Sequence, residues 1–395
     1  MSGAGFWGYR RPDGRAGVRN HVAVLPGGFI AEQVVRMVPG VLTLRTADKG
    51  YGHTARDRET IFRVLSGLGR NPNVYAVVLV DTLDWGYEEL ATERVRAAIA
   101  ETGTRVAVVN PDKQHGGTFA ALEQAVAAAR QFLWEASRLK REWCTLGDLA
   151  LGVKCGNSDV TSGRAGNPVV GHVFDRVVVA GGRAFFGETT EILGAEEDLL
   201  ARAARPEVAE QIRTVAALAR ERGAATGREW ADANLIPANR AGGIETPSQK
   251  SRGAIKKSGT TAIQAVLPYG GEPAAPGLYF VDNWMGSLSI FLGYCASGAT
   301  INIYQLGSAW TDLPDVCSSL CSPLIWTTAN RRTFDYAPNA LDFCAAALLE
   351  GSASLEEVGE QLLATILEVA SGGLSRGETI VSGEPLQIYL HDPVF

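Results

Sequence analysis

The feature that most limits what this chain can fold into is a repeated exchange of two rhythms, a short apolar run followed by a longer stretch with helical spacing. His21-Val-Ala-Val-Leu-Pro26 leads through Gly27-Gly28 into helical spacing from Ile30 to Val38. The order returns as a helix over Arg58–Leu68, a strand over Val74–Val80, a helix over Glu88–Glu101, a strand over Arg105–Val109 and a helix over Phe119–Leu139. Unbroken apolar runs suit strands covered on both faces, as in parallel sheets flanked by helices. The pattern therefore predicts an α/β fold built as helix, sheet and helix layers. A chain of 395 residues exceeds one typical core, so two domains with parallel sheets are expected, 1–140 and 141–395.

The second part keeps the rhythm. Strands are expected at Leu149–Val153, Val177–Ala180, Gly277–Asp282, Thr300–Tyr304 and Pro323–Thr327, and an amphipathic helix over Ser354–Ala370 stops at Gly372-Gly373. From Asp232 to Gly259 the periodicity is lost, which reads as a long loop. A loop of that length is functional or a flexible surface connection. Its Asn239, Arg240 and Lys250 beside Gly242-Gly243 suit capture of a carboxylate.

Chemistry concentrates where the run Leu149-Ala-Leu-Gly-Val153 gives way to Lys154, Cys155, Asn157, Ser158, Asp159, Ser162 and Asn167, spaced by Gly156, Gly163 and Gly166. Ligands of α/β proteins bind at the carboxyl ends of parallel strands, and glycines there admit a close backbone approach. Glu188 and Glu191 follow the next expected strand. Glu188, behind Phe185-Phe186-Gly187, reads as a partly desolvated acid, base or metal ligand, and Glu191 as a first-turn helix charge. Among histidines, His53 in a glycine-flanked loop is the first candidate and His115 the second, while His21, His172 and His391 read as structural.

Several classes fall away. No GxGxxG follows Gly27-Gly28 and no GxxxxGK[ST] occurs, which removes a nicotinamide cofactor and a phosphate-binding loop. A net charge of −6 without a basic run speaks against nucleic acid. No apolar stretch approaches a membrane span and the first residues lack a signal-peptide core, so a cytoplasmic protein with six free thiols is expected. Cys317 and Cys321 have no second half at zinc spacing and read as packing.

Five blocks in order resemble the altronate/galactarate dehydratase family: Gly8-Tyr-Arg-Arg-Pro-Asp-Gly-Arg-Ala-Gly-Val-Arg-Asn20; Lys154-Cys-Gly-Asn-Ser-Asp159 with Ser162-Gly163 and Asn167-Pro168; Glu188-Thr-Thr-Glu-Ile-Leu-Gly-Ala-Glu196; Asn239-Arg-Ala-Gly-Gly243; and Lys250-Ser-Arg-Gly-Ala-Ile255. The resemblance implies a carbon–oxygen lyase that removes a leaving group β to the carboxylate of a 2-hydroxy acid and yields a 2-oxo acid. It implies ferrous iron (Mn2+ or Mg2+ otherwise), a dimerising first domain and a Rossmann-like catalytic domain. It also implies a separate small β-clip subunit, with a homodimer or higher assembly.

On that reading Lys154 is base or electrostatic partner, Glu188 acid/base or ligand, His53 a catalytic histidine, and Cys155 and Asp159 face the metal. Asn157, Ser158, Ser162, Asn167, Asn239, Arg240 and Lys250 would bind substrate. Family dehydratases carry cysteines in blocks matching Asp48–Thr54 and Val80–Gly86; this chain has none there, a trait shared with the sulfolactate sulfo-lyase large subunit. A sulfo-lyase is therefore the alternative, and a non-catalytic carboxylate-binding protein the alternative of another class.

Overall fold

The computed structural model describes residues 3–46, 50–82, 86–227, 229–308, 319–380 and 385–394. Fourteen strands run among them: β1 Gly5–Arg10, β2 Ala16–Gly17, β3 His21–Leu25, β4 Val41–Thr43, β5 Val74–Val80, β6 Arg105–Val109, β7 Glu142–Thr145, β8 Ala150–Gly156, β9 Arg183–Phe186, β10 Ile263–Leu267, β11 Gly277–Val281, β12 Ile301–Leu306, β13 Leu324–Thr328 and β14 Phe343–Cys344. They form a four-stranded parallel sheet in the order β4-β3-β5-β6 and a seven-stranded parallel sheet in the order β10-β11-β9-β8-β12-β13-β14. A small antiparallel sheet, β2-β1-β7, joins the chain's start to the approach to β8.

Both parallel sheets are covered on two faces, as the apolar runs require. On the four-stranded sheet, Val22, Val24, Ala76 and Val78 meet the helices Phe29–Met37 and Gly117–Ala136. The alternate residues Ala23, Leu25, Val77 and Leu79 meet the helices Ala55–Arg70 and Thr92–Ala100. On the larger sheet, Leu151, Val153, Ile301 and Ile303 pack under the helices Asn167–Val179 and Leu355–Ala370. The opposite face meets the helix Ser287–Ala296 through Ile290, Phe291 and Tyr294. That helix also lies against Ala55–Arg70, where Leu292, Cys295 and Ala296 join the core of Ile61, Val64 and Leu65, so the two sheets share a helical layer. Residues 385–392 return to this seam, where Asp57 accepts from the amides of His391 and Asp392 at 2.9 and 2.8 Å.

Two expectations are corrected. Val177–Val179 ends the helix Asn167–Val179, and the strand before Glu188 is β9. Three valines in a row suit a buried helix flank as well as a strand, and a short apolar run does not separate them. The stretch from Asp232 to Gly259 is no loop but a series of short helices, Trp230–Asn234, Pro237–Ala241 and Pro247–Ala254, continued by a 3-10 turn over Ile255–Ser258. Pro237 and Pro247 stand in first helical turns, where a missing N–H costs nothing.

β8 opens the larger sheet at its middle. The chain places β9 beside β8, β10 at the edge and β11 between those two, then returns beside β8 as β12 and continues the other way. The carboxyl ends of β8 and β12 therefore flank a topological switch point, where open α/β sheets form a crevice.

Candidate active site

β8 is buried along its whole length, yet near its carboxyl end it carries a charged side chain, Lys154. Lys154 lies in register with Tyr304 of β12, whose ring centroid is 5.0 Å from Lys154 Nζ. The ammonium donates to the Cys155 carbonyl at 2.7 Å and stands 3.4 Å from Glu188 Oε1. Burial opposes its charge, but Tyr304, Glu188, Cys155 and Glu191 outweigh that cost and hold the amine above its ordinary range.

Glu188 reaches this point through a tight backbone path. β9 ends at Phe186, and a side chain on Gly187 would overlap Asn283 Oδ1 and the Val281 carbonyl. Glu188 then takes a left-handed conformation, φ 69°, with its amide on Asn283 Oδ1 at 2.8 Å. That conformation costs a residue with a side chain about 1–2 kcal/mol. It aims the carboxylate at the Cys155 amide, 3.1 Å away.

A 3-10 turn, Thr189–Glu191, follows, and side chains three apart in such a turn lie on one side. Glu191 therefore joins Glu188 instead of serving as an exposed helix charge, which corrects the sequence expectation. It accepts from the Cys155 thiol at 3.1 Å and is held well below the carboxylate range: burial pushes it up, but Lys257, Lys250 and Lys154 outweigh burial. The Cys155 thiol is pushed up to about 12 by burial, Glu188 and Glu191.

The residue the sequence reading missed is Lys257. It is 1% exposed, and its ammonium donates to Glu188 Oε2, to Glu191 Oε2 at 3.0 Å and to Cys155 Sγ at 3.1 Å. Gly171 admits it, since a Cβ there would overlap the Lys256 carbonyl. Lys250 completes the group, 3.5 Å from Glu191 Oε1 and donating to the Asn234 carbonyl at 2.6 Å. Three buried ammonium groups thus face two carboxylates.

Beside this cluster lies a cavity of about 440 Å³, and Lys250 lines both. Ser158, Asp159, Ser162 and Asn167 face the cavity, with Arg164, Arg252 and Lys256 on its walls. Asn167 donates to the Gly253 carbonyl at 2.9 Å, while its buried Oδ1 has no partner among the described residues. The Asp159 carboxylate is occupied by the chain itself. Oδ1 accepts from Thr161 and Ser162, and Oδ2 from Ser308 at 2.9 Å and Asn330 at 2.7 Å. Gly163 and Gly253 touch backbone to backbone across the cavity wall; a Cβ on Gly163 would meet Gly253 Cα at 3.0 Å.

The structure thus gathers Lys154, Cys155, Glu188 and Lys250 into one buried cluster and puts Ser158, Asp159, Ser162 and Asn167 on the adjoining cavity. Asn157 is exposed, φ 47°, and its carbonyl accepts from the Ser308 amide at 3.0 Å. Asn239 braces the loop by donating to the Ser158 carbonyl at 2.8 Å, and exposed Arg240 reaches the Glu245 carbonyl. His53 is not brought to the cluster: it precedes the helix Ala55–Arg70 of the four-stranded sheet, where Arg58 holds its carbonyl. Cys317 and residues 48–49 and 83–85 of the two cysteine-free blocks lie outside the described residues, whereas Cys321 is buried.

Among the described residues one donor set could hold a metal ion. Cys155, Glu188 and Glu191 offer ligand atoms all within 4.8 Å of one another. One thiolate and two carboxylates suit borderline divalent ions such as ferrous iron, so the residues fit the group that the resemblance implies. Asp159, taken up by donors from four residues, is not among them.

The profile of the D-galactarate/altronate dehydratase C-terminal domain matches residues 146–390, and that of the second domain of D-galactarate dehydratase/altronate hydrolase matches residues 8–137. The beta subunit of (2R)-sulfolactate sulfo-lyase from Chromohalobacter salexigens is 32% identical over 392 residues, 96% of each chain. Galactarate dehydratase (L-threo-forming) of Escherichia coli is 28% identical, the match covering 94% of this chain and 74% of that one. Altronate dehydratase of Bacillus subtilis is also 28% identical, covering 94% and 75%. Among the described residues no helix is long and apolar enough to cross a membrane.

Proposed function

The chain belongs to the D-galactarate/altronate dehydratase family, and from that premise we propose that it is a lyase acting on a small 2-hydroxy carboxylate with a second anionic group. The observation that carries this reading is the charge of the site: three buried ammonium groups against two carboxylates, beside a cavity walled by Arg164, Arg252 and Lys256. An uncompensated buried charge is costly, and a bound dianion offsets it.

In the proposed reaction Lys250 anchors the substrate carboxylate. Glu188 takes the proton from the adjacent carbon, and the Lys154 ammonium, too firmly protonated to act as base, stabilises the enediolate. The bond to the β leaving group then breaks, and the resulting enol becomes a 2-oxo acid. Cys155, Glu188 and Glu191 would hold a divalent ion, ferrous iron in our reading, and when bound it would supply Lewis acidity toward the developing charge. Asn167 Oδ1 accepts from a substrate hydroxyl. We read the seven-stranded sheet as a Rossmann-like catalytic layer.

Sulfite is the leaving group we favour, because identity to the sulfo-lyase subunit is 32% against 28% for the two dehydratases. Water as leaving group, from galactarate or a related sugar acid, is the second reading. By likeness to a relative named as a subunit, we include a second polypeptide in the working enzyme. The test is to copurify the chain with its partners and assay sulfolactate, galactarate and altronate for 2-oxo acid and sulfite. Pyruvate with equimolar sulfite supports the first reading and 2-oxo acid without sulfite the second. Neither product from any of the three acids, with the partner present, defeats both.

A further inference from the structure

The triad that could hold a metal already holds a cation. A lysine ammonium has three N–H donors, and those of Lys257 are directed to Cys155 Sγ, Glu188 Oε2 and Glu191 Oε2, the same three side chains that make up the metal-type donor set. We propose that Lys257 is the resident cation of this triad and that a divalent metal enters it only in exchange for the Lys257 ammonium.

Space and charge both point this way. A metal bound at about 2.0–2.3 Å from these atoms would sit within the volume that the ammonium fills. Lys154 and Lys250 stay in place, at 3.4 and 3.5 Å from Glu188 and Glu191, so an ion added beside Lys257 would face three positive neighbours. Exchange keeps the charge constant: one ammonium and one thiol proton leave, and a doubly charged ion bound to a thiolate takes their place. The backbone beneath Lys257 is anchored by Ser258, which donates to the Ile255 carbonyl at 2.6 Å and accepts from Arg202 at 3.0 Å. Exchange therefore falls to the flexible four-carbon stem of Lys257.

The test uses the whole chain and cobalt(II) alone, without substrate, so it stands or falls apart from the lyase assay. Cobalt bound to a thiolate gives a charge-transfer absorption that reports Cys155. Wild type is expected to lack this band at one equivalent, and Lys257→Met to develop it with affinity about ten- to a hundredfold higher; Cys155→Ser removes the band. A Lys257→Met protein that folds only when metal is supplied, seen as a metal-dependent melting transition absent from wild type, supports the proposal as well. A thiolate band in wild type at one equivalent, or Lys257→Met binding cobalt no more tightly than wild type, overturns it. If Lys257→Met folds under neither condition, the wild-type titration decides by the same band.

Discussion

The two parallel sheets end their strands differently. At the carboxyl edge of the four-stranded sheet, β3 runs into Pro26-Gly27-Gly28, and β5 ends at Asp81, whose carboxylate accepts from Thr92 and from Asn110 at 2.9 Å. One charge is satisfied there by neutral donors from adjoining segments. At the same edge of the seven-stranded sheet, β8, the turn after β9, the helix Pro247–Ala254 and the turn over Ile255–Ser258 bring five charged side chains and a thiol into the interior. Similar layers thus carry opposite local choices. Buried ion groups seldom stabilise more than apolar packing of the same volume. Their presence on one sheet and their absence, among the described residues, from the other locates the chemistry in the connections.

Glu188→Gln should break the contrast most sharply. With Glu191 left to face three ammonium groups, turnover is expected to fall about 10²- to 10⁴-fold, measured as 2-oxo acid release by folded protein. An intact rate would mean that the charged edge is structural after all. Next comes His21, at the opposite edge of the smaller sheet, where burial and Arg19 hold the imidazole down to about 4. An unfolded histidine titrates near 6.5, so between about pH 6.5 and 4 only the unfolded chain gains the proton, and stability falls with pH by up to about 3 kcal/mol. His21→Gln should flatten that part of the acid unfolding curve and leave turnover at neutral pH untouched.

A smaller change is expected from Asn167→Ala. Loss of one acceptor toward the substrate should raise KM about tenfold, with kcat nearly constant. Smallest of all is Asp81→Asn, expected to shift turnover by less than about twofold even if it costs up to ~1 kcal/mol in denaturant unfolding. A rate loss there like that of Glu188→Gln would erase the distinction between the sheets.

How far the sequence led depends on distance along the chain. Strands β3, β5, β6, β8, β11, β12 and β13 are legible because each is a local apolar run. Lys154, Cys155 and Glu188 are legible because they follow such runs at once. Lys257 is not: Lys256-Lys257-Ser258 reads as a solvated basic pair, and its partners lie 66, 69 and 102 residues away. Glu191 offered a signal, its spacing of three from Glu188, which a 3-10 turn makes a shared side; the first-turn reading masked it. Asp159 drew attention as a carboxylate in a polar loop, but Ser308 and Asn330, donors from 149 and 171 residues downstream, were invisible locally.

Gly163 touching Gly253, with the Asn167 amide on the Gly253 carbonyl, forms a joint between the two jaws of the cavity. One jaw carries Ser158, Ser162 and Asn167, and the other carries Lys250 and runs directly on to Lys257. A single methyl at that joint, as in Gly163→Ala, would spread the jaws and shift both lysines together. The width that a substrate meets and the alignment of the buried charges are therefore one mechanical variable.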